Sequence, residues 1–312
     1  MAEFDVRPFD AEIAHFSESM RVVVSAVVEV GAALTQGTDE SLFRVTMKAG
    51  DERGEGQQMV TGGDLQSQKH LVSMLARRFP RARFIAEEAA EGYQNLLIRD
   101  DDVHLLEDAE LIFGIDPIDG TTQFGNQLWE WSISVGVMQY GVHTGGVIFA
   151  PHVLGGLLIA GEHGKGAFLA EDAGVRVMRV RIAERPRERS LMFSGVGLDY
   201  LSDYNRFVNH MTHVVLMNKS VGSCALGLAA VAAGRADALV QPAQRPYDWF
   251  AGYPLVEEAG GKVQFYHYRD GAIVALDKPD LPSYMNRLET AFIAGRPDMV
   301  DWLFELLVRE WK

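Results

Sequence analysis

The 312-residue sequence holds one cysteine, Cys224, so no intrachain disulfide can staple the fold. It lacks any apolar run near the roughly 20 residues that a membrane span needs. The nearest approach, CALGLAAVAAG at 224–234, is closed off by Arg235 and Asp237. The stretch MAEFDVRPFD has neither the basic region nor the apolar segment of a signal peptide, which makes the cytoplasm the simplest compartment. Positive charge is scarce too. With 43 acidic against 29 basic residues the chain carries −14, which disfavours nonspecific contact with nucleic acid or anionic membrane. An anionic substrate would need locally bound cations.

Several reaction classes lose support the same way. No HExxH accompanies the histidines, and His210 and His213, at i and i+3, read as surface or packing residues. No GxSxG elbow is present, and Cys224 has no basic neighbour nearer than Lys219 to lower its pKa, so covalent catalysis has little support. GEHGKG at 161–166 lacks the spacing of a phosphate-binding P-loop and reads as a hairpin turn. The acidic run RDDDVHLLEDAE reads as a solvated loop. There is no internal repeat or low-complexity tract.

What is present is a globular composition, 47% hydrophobic, enough for one large core or two fused smaller ones. Ile13, Phe16, Met20, Val23, Val24, Val27 and Val28 recur at helical spacing and predict one long helix over 9–35, with Gly31 and Gly37 near its end. A second helix, carrying Leu71, Val72, Met74, Leu75 and Phe79, follows KAGDERGEGQQ and MVTGGD. RARFIAEE reads as a short strand. From residue 111, LIFGI, SISVGVMQY, GGVIFAP, GGLLIA, GAFLA and VRVMRVRI predict neighbouring strands of a mostly antiparallel sheet. The polar stretch ERPRERS is the best boundary, giving an α+β domain over 1–186 and an α/β domain over 187–312. Past it, SLMFSGV, ADALVQP, KVQFY and FIAG read as strands, while YNRFVNHMTHV, CALGLAAVAAG, WFAGYPLVEEAGG and DMVDWLFELLVREW read as helices. Two sheets layered with helices are expected.

The chemistry concentrates in LIFGIDPIDGTTQF, residues 111–124, where two aspartates three apart end an apolar strand. Pro117 biases Asp116 toward an extended conformation, so the strand should break there into a tight bend. Gly120 would let backbone amides approach a ligand, and Thr121 and Thr122 could start a short helix whose N-terminus favours an anion. Crowded carboxylates repel unless cations or protons neutralise them, and oxygen-only ligands suit magnesium. A polar turn, with Asp116 capping amides and Asp119 in solvent, is the plain alternative. Glu87 and Glu88 also follow a strand, Asp248 stands at the start of a helix just after a proline, and Asp64 lies just before one; a solvated strand end and ordinary N-caps are the alternatives there.

The order VTGGD, IAEE, DPIDGTTQF, SVG, ADALVQ, then YDWFAG with EEAGG resembles the inositol monophosphatase family of magnesium-dependent, lithium-sensitive phosphatases, over roughly residues 10–310. The resemblance implies a layered α-β-α-β-α sandwich, a homodimer and two or three magnesium ions. By it, Glu87, Asp116 and the Ile118 carbonyl would hold one ion, and Asp116, Asp119 and Asp248 a second. Glu87 would also touch a third. Gly120 and Thr121 would donate amides to the phosphate, and Thr121 with Asp64 would orient and deprotonate the attacking water. Gly222 and Ser223 match a segment that contacts substrate beyond the phosphate, Asp119, Gln241 and Asp248 complete the implied substrate contacts, and Glu87 counts with Asp64 and Thr121 among the implied catalytic residues. The implied activity is hydrolysis of a small phosphomonoester, inositol phosphate-like, without a phosphoenzyme. Departures bear on substrate: Gln241 stands where enzymes acting on inositol phosphates carry a glutamate, Tyr247 replaces the common tryptophan, Phe250 a small residue and Gln123 the frequent asparagine. PYD is similar to relatives that hydrolyse histidinol phosphate, and a sugar bisphosphate is a further alternative. A reading from another class is a metal-binding regulatory protein in which turnover is incidental.

Overall fold

The computed structural model describes residues 9–47, 59–88, 91–99, 102, 104–171, 176–179, 185–195, 202–242, 244–269, 272–279, 281 and 290–310. In chain order, the first elements are α1 (Asp10–Ile13), α2 (Glu18–Gln36), β1 (Thr46–Met47), β2 (Met59–Val60), α3 (Gly62–Arg78), β3 (Arg83–Ala86), α4 (Leu105–Asp108) and β4 (Leu111–Asp119). Next come α5 (Thr121–Gly125), β5 (Ser132–Gln139), β6 (Val142–Ala150), β7 (Leu157–Glu162), β8 (Gly166–Glu171) and β9 (Arg176–Arg179). Then follow β10 (Leu191–Ser194), α6 (Ser202–Thr212), β11 (Met217–Lys219), α7 (Cys224–Ala232), β12 (Ala238–Gln241), α8 (Pro246–Trp249) and α9 (Gly252–Glu258). The chain ends with β13 (Lys262–Arg269), β14 (Ala272–Leu276), β15 (Thr290–Gly295) and α10 (Pro297–Glu310). KAGDERGEGQQ and the end of VRVMRVRI lie outside the described residues, and no described helix is long and apolar enough to cross a membrane.

The strands β3 to β9 form one seven-stranded sheet in sequence order, parallel only between β3 and β4. The second sheet runs β11-β10-β12-β15-β13-β14, parallel around β10 and antiparallel from β12 onward. Strand periodicity sends alternate residues of the first sheet into different cores. Phe113 and Phe149 pack with Val23, Val27 and Leu71 of α2 and α3, whereas Ile112 and Ile148 pack with Leu228, Trp249 and Leu255 of α7, α8 and α9. A third core lies between the second sheet and α6 and α10, built on Met192, Phe207, Val240 and Leu303. The layers are therefore α-β-α-β-α.

Two expectations require correction. The helix over 9–35 is split, because the Ser17 side chain accepts from Met20 N while Ser17 N donates to the Glu162 carboxylate at 2.7 Å, starting a new helix. Gly31 sits inside α2, where an added Cβ would stand 2.5 Å from the Phe149 ring, and Gly37 is the C-cap. The strand at LIFGI does not break at Asp116. It runs on to Asp119, with a register shift between the Asp116↔Ser134 and Asp119↔Ser132 pairs. An extra residue bulges out there, and proline, which has no amide proton to offer a ladder, is tolerated at such an irregularity.

One feature of the first sheet sets the depth of the helices above it. Gly114, Gly136, Gly146 and Gly161 are successive cross-strand partners on β4, β5, β6 and β7. The α8–α9 junction lies against this bare backbone: a Cβ on Gly114 would be 2.3 Å from Phe250 Cγ, and one on Gly146 2.1 Å from Ala251 O.

Candidate active site

Helix α3 begins with a capping box. The Thr61 hydroxyl accepts from Asp64 N, and Asp64 Oδ2 accepts from Thr61 N at 2.7 Å and from the Thr61 hydroxyl. Asp64 is fully buried, and its other oxygen faces Thr121, whose Oγ1 lies 3.2 Å from Asp64 Oδ1 and 3.2 Å from Ile118 O. Burial is the main reason its carboxyl rises to about 6, the Thr61 bonds opposing that rise. The next turn of the same helix holds the other acidic segments. Ser67 Oγ donates to Pro117 O at 2.9 Å, and the Gln68 carboxamide clasps the backbone of Glu88, accepting from its N–H at 2.7 Å and donating to its carbonyl.

The parallel pairing of β3 with β4, together with Glu87 N donating to Ile115 O, places Glu87 next to Asp116 along the sheet end. Asp116 is 2% exposed, and burial, then Glu87, Asp119, Asp248 and Asp64 in turn, push its carboxyl well above the usual range. Asp248 is drawn in from the second half of the chain by α8. Its residue is partly exposed, but its carboxyl faces inward, accepts from Arg245 N at 2.9 Å, hydrogen-bonds Asp116 and is raised to about 7, chiefly by burial. Asp119 is buried, not in solvent. Its oxygens accept from Ser223 Oγ at 2.9 Å, Cys224 N at 3.2 Å and Ala225 N, so it caps α7, and burial still raises it to about 6.

Among the described residues no three acids, histidines or cysteines close into a metal cluster as they stand. The acids nevertheless lie within Coulombic reach of one another, and Asp116 Oδ1 is buried without a hydrogen-bond partner. Oxygen donors, concentrated negative charge and an orphaned carboxylate oxygen fit a hard divalent cation.

Beside Asp119 opens a cavity of about 180 Å³, whose walls include Phe193, Ser194, Gly222, Ser223, Gln241 and Gln244. The sequence-derived substrate residues Asp119, Gly222, Ser223 and Gln241 thus share one wall, while Gly120, Thr121 and Asp248 are not among its lining residues. Phe250 is turned away: it is fully buried against Gly114 and the His143 ring, 4.4 Å off. Tyr247 is partly exposed, its phenol raised by burial and then by Glu87. Cys224, buried with its thiol pushed well up, gives no support to covalent chemistry. Sequence reading missed Ser67, Gln68 and the α7 amides. The polar Ser67 and Gln68 at the helical offsets i+3 and i+4 from Asp64 were the available signal. GEHGKG is the hairpin expected, and the amides of Gly164 and Gly166 are taken by Glu258 at 2.8 and 2.7 Å.

The chain matches the Inositol monophosphatase family model over residues 17–289. It is similar to an inositol-1-monophosphatase of Bacillus subtilis, 28% identical over 79% of this chain and 85% of that one. A fructose-1,6-bisphosphatase/inositol-1-monophosphatase of Thermotoga maritima is 32% identical over 66% of this chain and 70% of its own. In structure it is similar to the extragenic suppressor protein suhB of Bartonella henselae, with a TM-score of 0.72 and 25% identity over 93% of this chain and 98% of that one.

Proposed function

Given that this chain belongs to the inositol monophosphatase family, we propose that it is a magnesium-dependent phosphomonoesterase of small phosphorylated metabolites. The observation that carries the reading is the Thr121–Asp64 contact beside the inward-facing carboxyls of Asp116, Asp119 and Asp248, each raised chiefly by burial and Asp116 further by the acids around it. Glu87, Asp116, Asp119, Asp248 and the Ile118 carbonyl would hold two or three magnesium ions. Bound there, the metal supplies charge neutralisation of the phosphate and of the departing alkoxide, and acidifies water.

The chain's own residues do the rest. Gly120 and Thr121 open α5, whose first amides have no intrahelical acceptor and are free for phosphate oxygens. The Thr121 hydroxyl orients the attacking water, and Asp64, with its carboxyl near 6, accepts the proton close to neutral pH. Displacement is direct, with no phosphoenzyme. The non-phosphate half of the substrate takes the cavity of Gly222, Ser223 and Gln241. Among its described lining residues only Asp119 is charged, and Asp119 is engaged by the α7 amides. This favours an uncharged polyol phosphate over histidinol phosphate or a bisphosphate. A homodimer, a cytoplasmic location and a domain division at 186/187 belong to the same reading.

The test is hydrolysis by the purified protein with magnesium across a panel of phosphomonoesters, beside Asp116→Asn. Phosphate release from at least one ester, lowered by about 100-fold or more in the variant, is expected for loss of a carboxylate that would hold the metal. Absence of turnover on every ester, or an unaffected variant, would sink the reading.

A further inference from the structure

Gln123 belongs to α5, the short helix opened by Gly120 and Thr121, yet its side chain leaves that helix for another part of the molecule. Its Nε2 donates to Val221 O at 3.3 Å, in the loop between β11 and α7. Two glycines with positive φ flank the carboxamide, Gly120 at 100° and Gly222 at 72°. A Cβ on Gly222 would fall 1.8 Å from Gln123 Nε2, and one on Gly120 would fall 3.3 Å from Oε1. Glycine at 222 thus suits a left-handed backbone that L side chains adopt at a cost, and it also leaves room for the amide, which a Cβ would push aside. Oε1 is enclosed and has no hydrogen-bond partner.

The position of this contact gives it meaning. On one side of Gln123 lies the backbone that would hold the phosphate. On the other lie Val221, Gly222 and Ser223, which line the cavity next to Asp119. Ser223 also caps α7, whose first amides fix Asp119. The two halves of a substrate would thus be held by segments from different sheets' surroundings, with one carboxamide spanning them. Asparagine, one carbon shorter on the same Cα, would not reach Val221 O.

Resting on the phosphatase reading, we propose that Gln123 is a positioning residue that sets the spacing between the phosphate cradle and the Val221–Ser223 loop, and so selects among the non-phosphate halves of substrates. It touches neither the reacting atoms nor the metal ligands' carboxylates, and it acts through the loop.

Gln123→Asn and Gln123→Met separate reach from hydrogen bonding, the second keeping the length without the donor. Gln123 is only partly buried, so both variants are expected to fold. Amide hydrogen exchange on the substrate-free protein is expected to quicken at Gly222–Ala225 in both. With magnesium saturating, KM for the ester preferred in the panel should rise about fivefold, the weight of one neutral hydrogen bond, with kcat falling less than KM rises. Para-nitrophenyl phosphate, whose ring lacks hydroxyls for the cavity, should change less than the preferred ester. Unchanged exchange in both variants overturns the proposal whatever the kinetics. Faster exchange with an equal loss on every ester overturns the selecting role. If the wild type hydrolyses no ester, the phosphatase reading fails and takes the selecting role with it, while exchange alone still decides whether Gln123 positions the loop.

Discussion

Asp64 shows how one side chain can be read two ways and be both. As the third helical residue of α3 it closes a capping box with Thr61, so the N-cap is Thr61 and Asp64 stands inside the helix rather than before it as an N-cap of its own. Its remaining oxygen faces Thr121, 57 positions along the chain, and no pattern of spacing reveals that. Asparagine would still accept from Thr61 N, so Asp64→Asn is expected to keep the helix start and lose the proton acceptor. The expected outcome is a kcat lower by about 100-fold or more, typical of a lost general base, with the fold kept and, without metal above pH 6, an unfolding temperature at or above that of the wild type, since the buried carboxyl that resists ionising is gone. A fall of less than about tenfold in steady-state assays would remove Asp64 from the mechanism. The same scale exposes a misjudged residue. Phe250 stood out in sequence as a departure near Asp248, which suggested a hand in substrate choice, but its ring fills the notch over Gly114. A bulky residue beside a ligand is visible in sequence; the direction it faces depends on a glycine far earlier in the chain.

At the scale of elements, periodicity found most of the helices and strands because each buries a face. It failed where a partner outside the element intervened. The split of α1 from α2 depends on Glu162, and β14 escaped notice because it is an edge strand whose residues are half-buried or exposed. The glycine row is an element-scale device that carries Asp248. With Gly114, Gly136 and Gly146 bare, the α8–α9 junction rests on the sheet backbone, and Asp248 two residues before Phe250 reaches Asp116. Gly146→Ala would drive a Cβ into Ala251 O and lift that junction. Its expected cost is about 1–3 kcal/mol of stability, as for overpacking, together with weaker magnesium binding by calorimetry. Gly141→Ala is the control: φ is 77° and nothing lies within 4 Å, so it should bear only backbone strain and leave magnesium binding unchanged. Equal magnesium affinity in Gly146→Ala would show that Asp248 is held by other means.

For the whole molecule, composition gave the right class of question: how a chain of −14 could handle an anion. Five acids from α3, the end of β3, β4 and α8 gather negative charge in one place, which on the proposed reading answers it by suiting a cation, and that convergence is a property of the fold that charge counting does not contain. It has a consequence for stability against pH. Burial raises Asp64 and Asp119 to about 6 and Asp248 to about 7, from 3.8. The folded protein without metal therefore keeps protons that the unfolded chain releases. The associated stability is complete below about pH 3.8 and is lost as pH rises through 6 and 7. His143, pushed down to about 3 by burial among Trp249, Phe250 and Tyr253, acts in the opposite sense, withdrawing stability as pH falls below 6.5. Above about pH 7.5 the histidine is neutral in both states, and from 6.5 to 7.5 it gives up only the last half-proton of one group, so the acids dominate the slope. After chelation, urea unfolding should thus show lower stability at pH 8 than at pH 6.5. Magnesium should reverse this, because protons compete for its ligands, and its stabilising increment should grow from pH 5.5 to pH 8. Chelated protein equally stable at pH 6.5 and 8, with an increment from magnesium that ignores pH, would mean that these carboxyls do not share a cation.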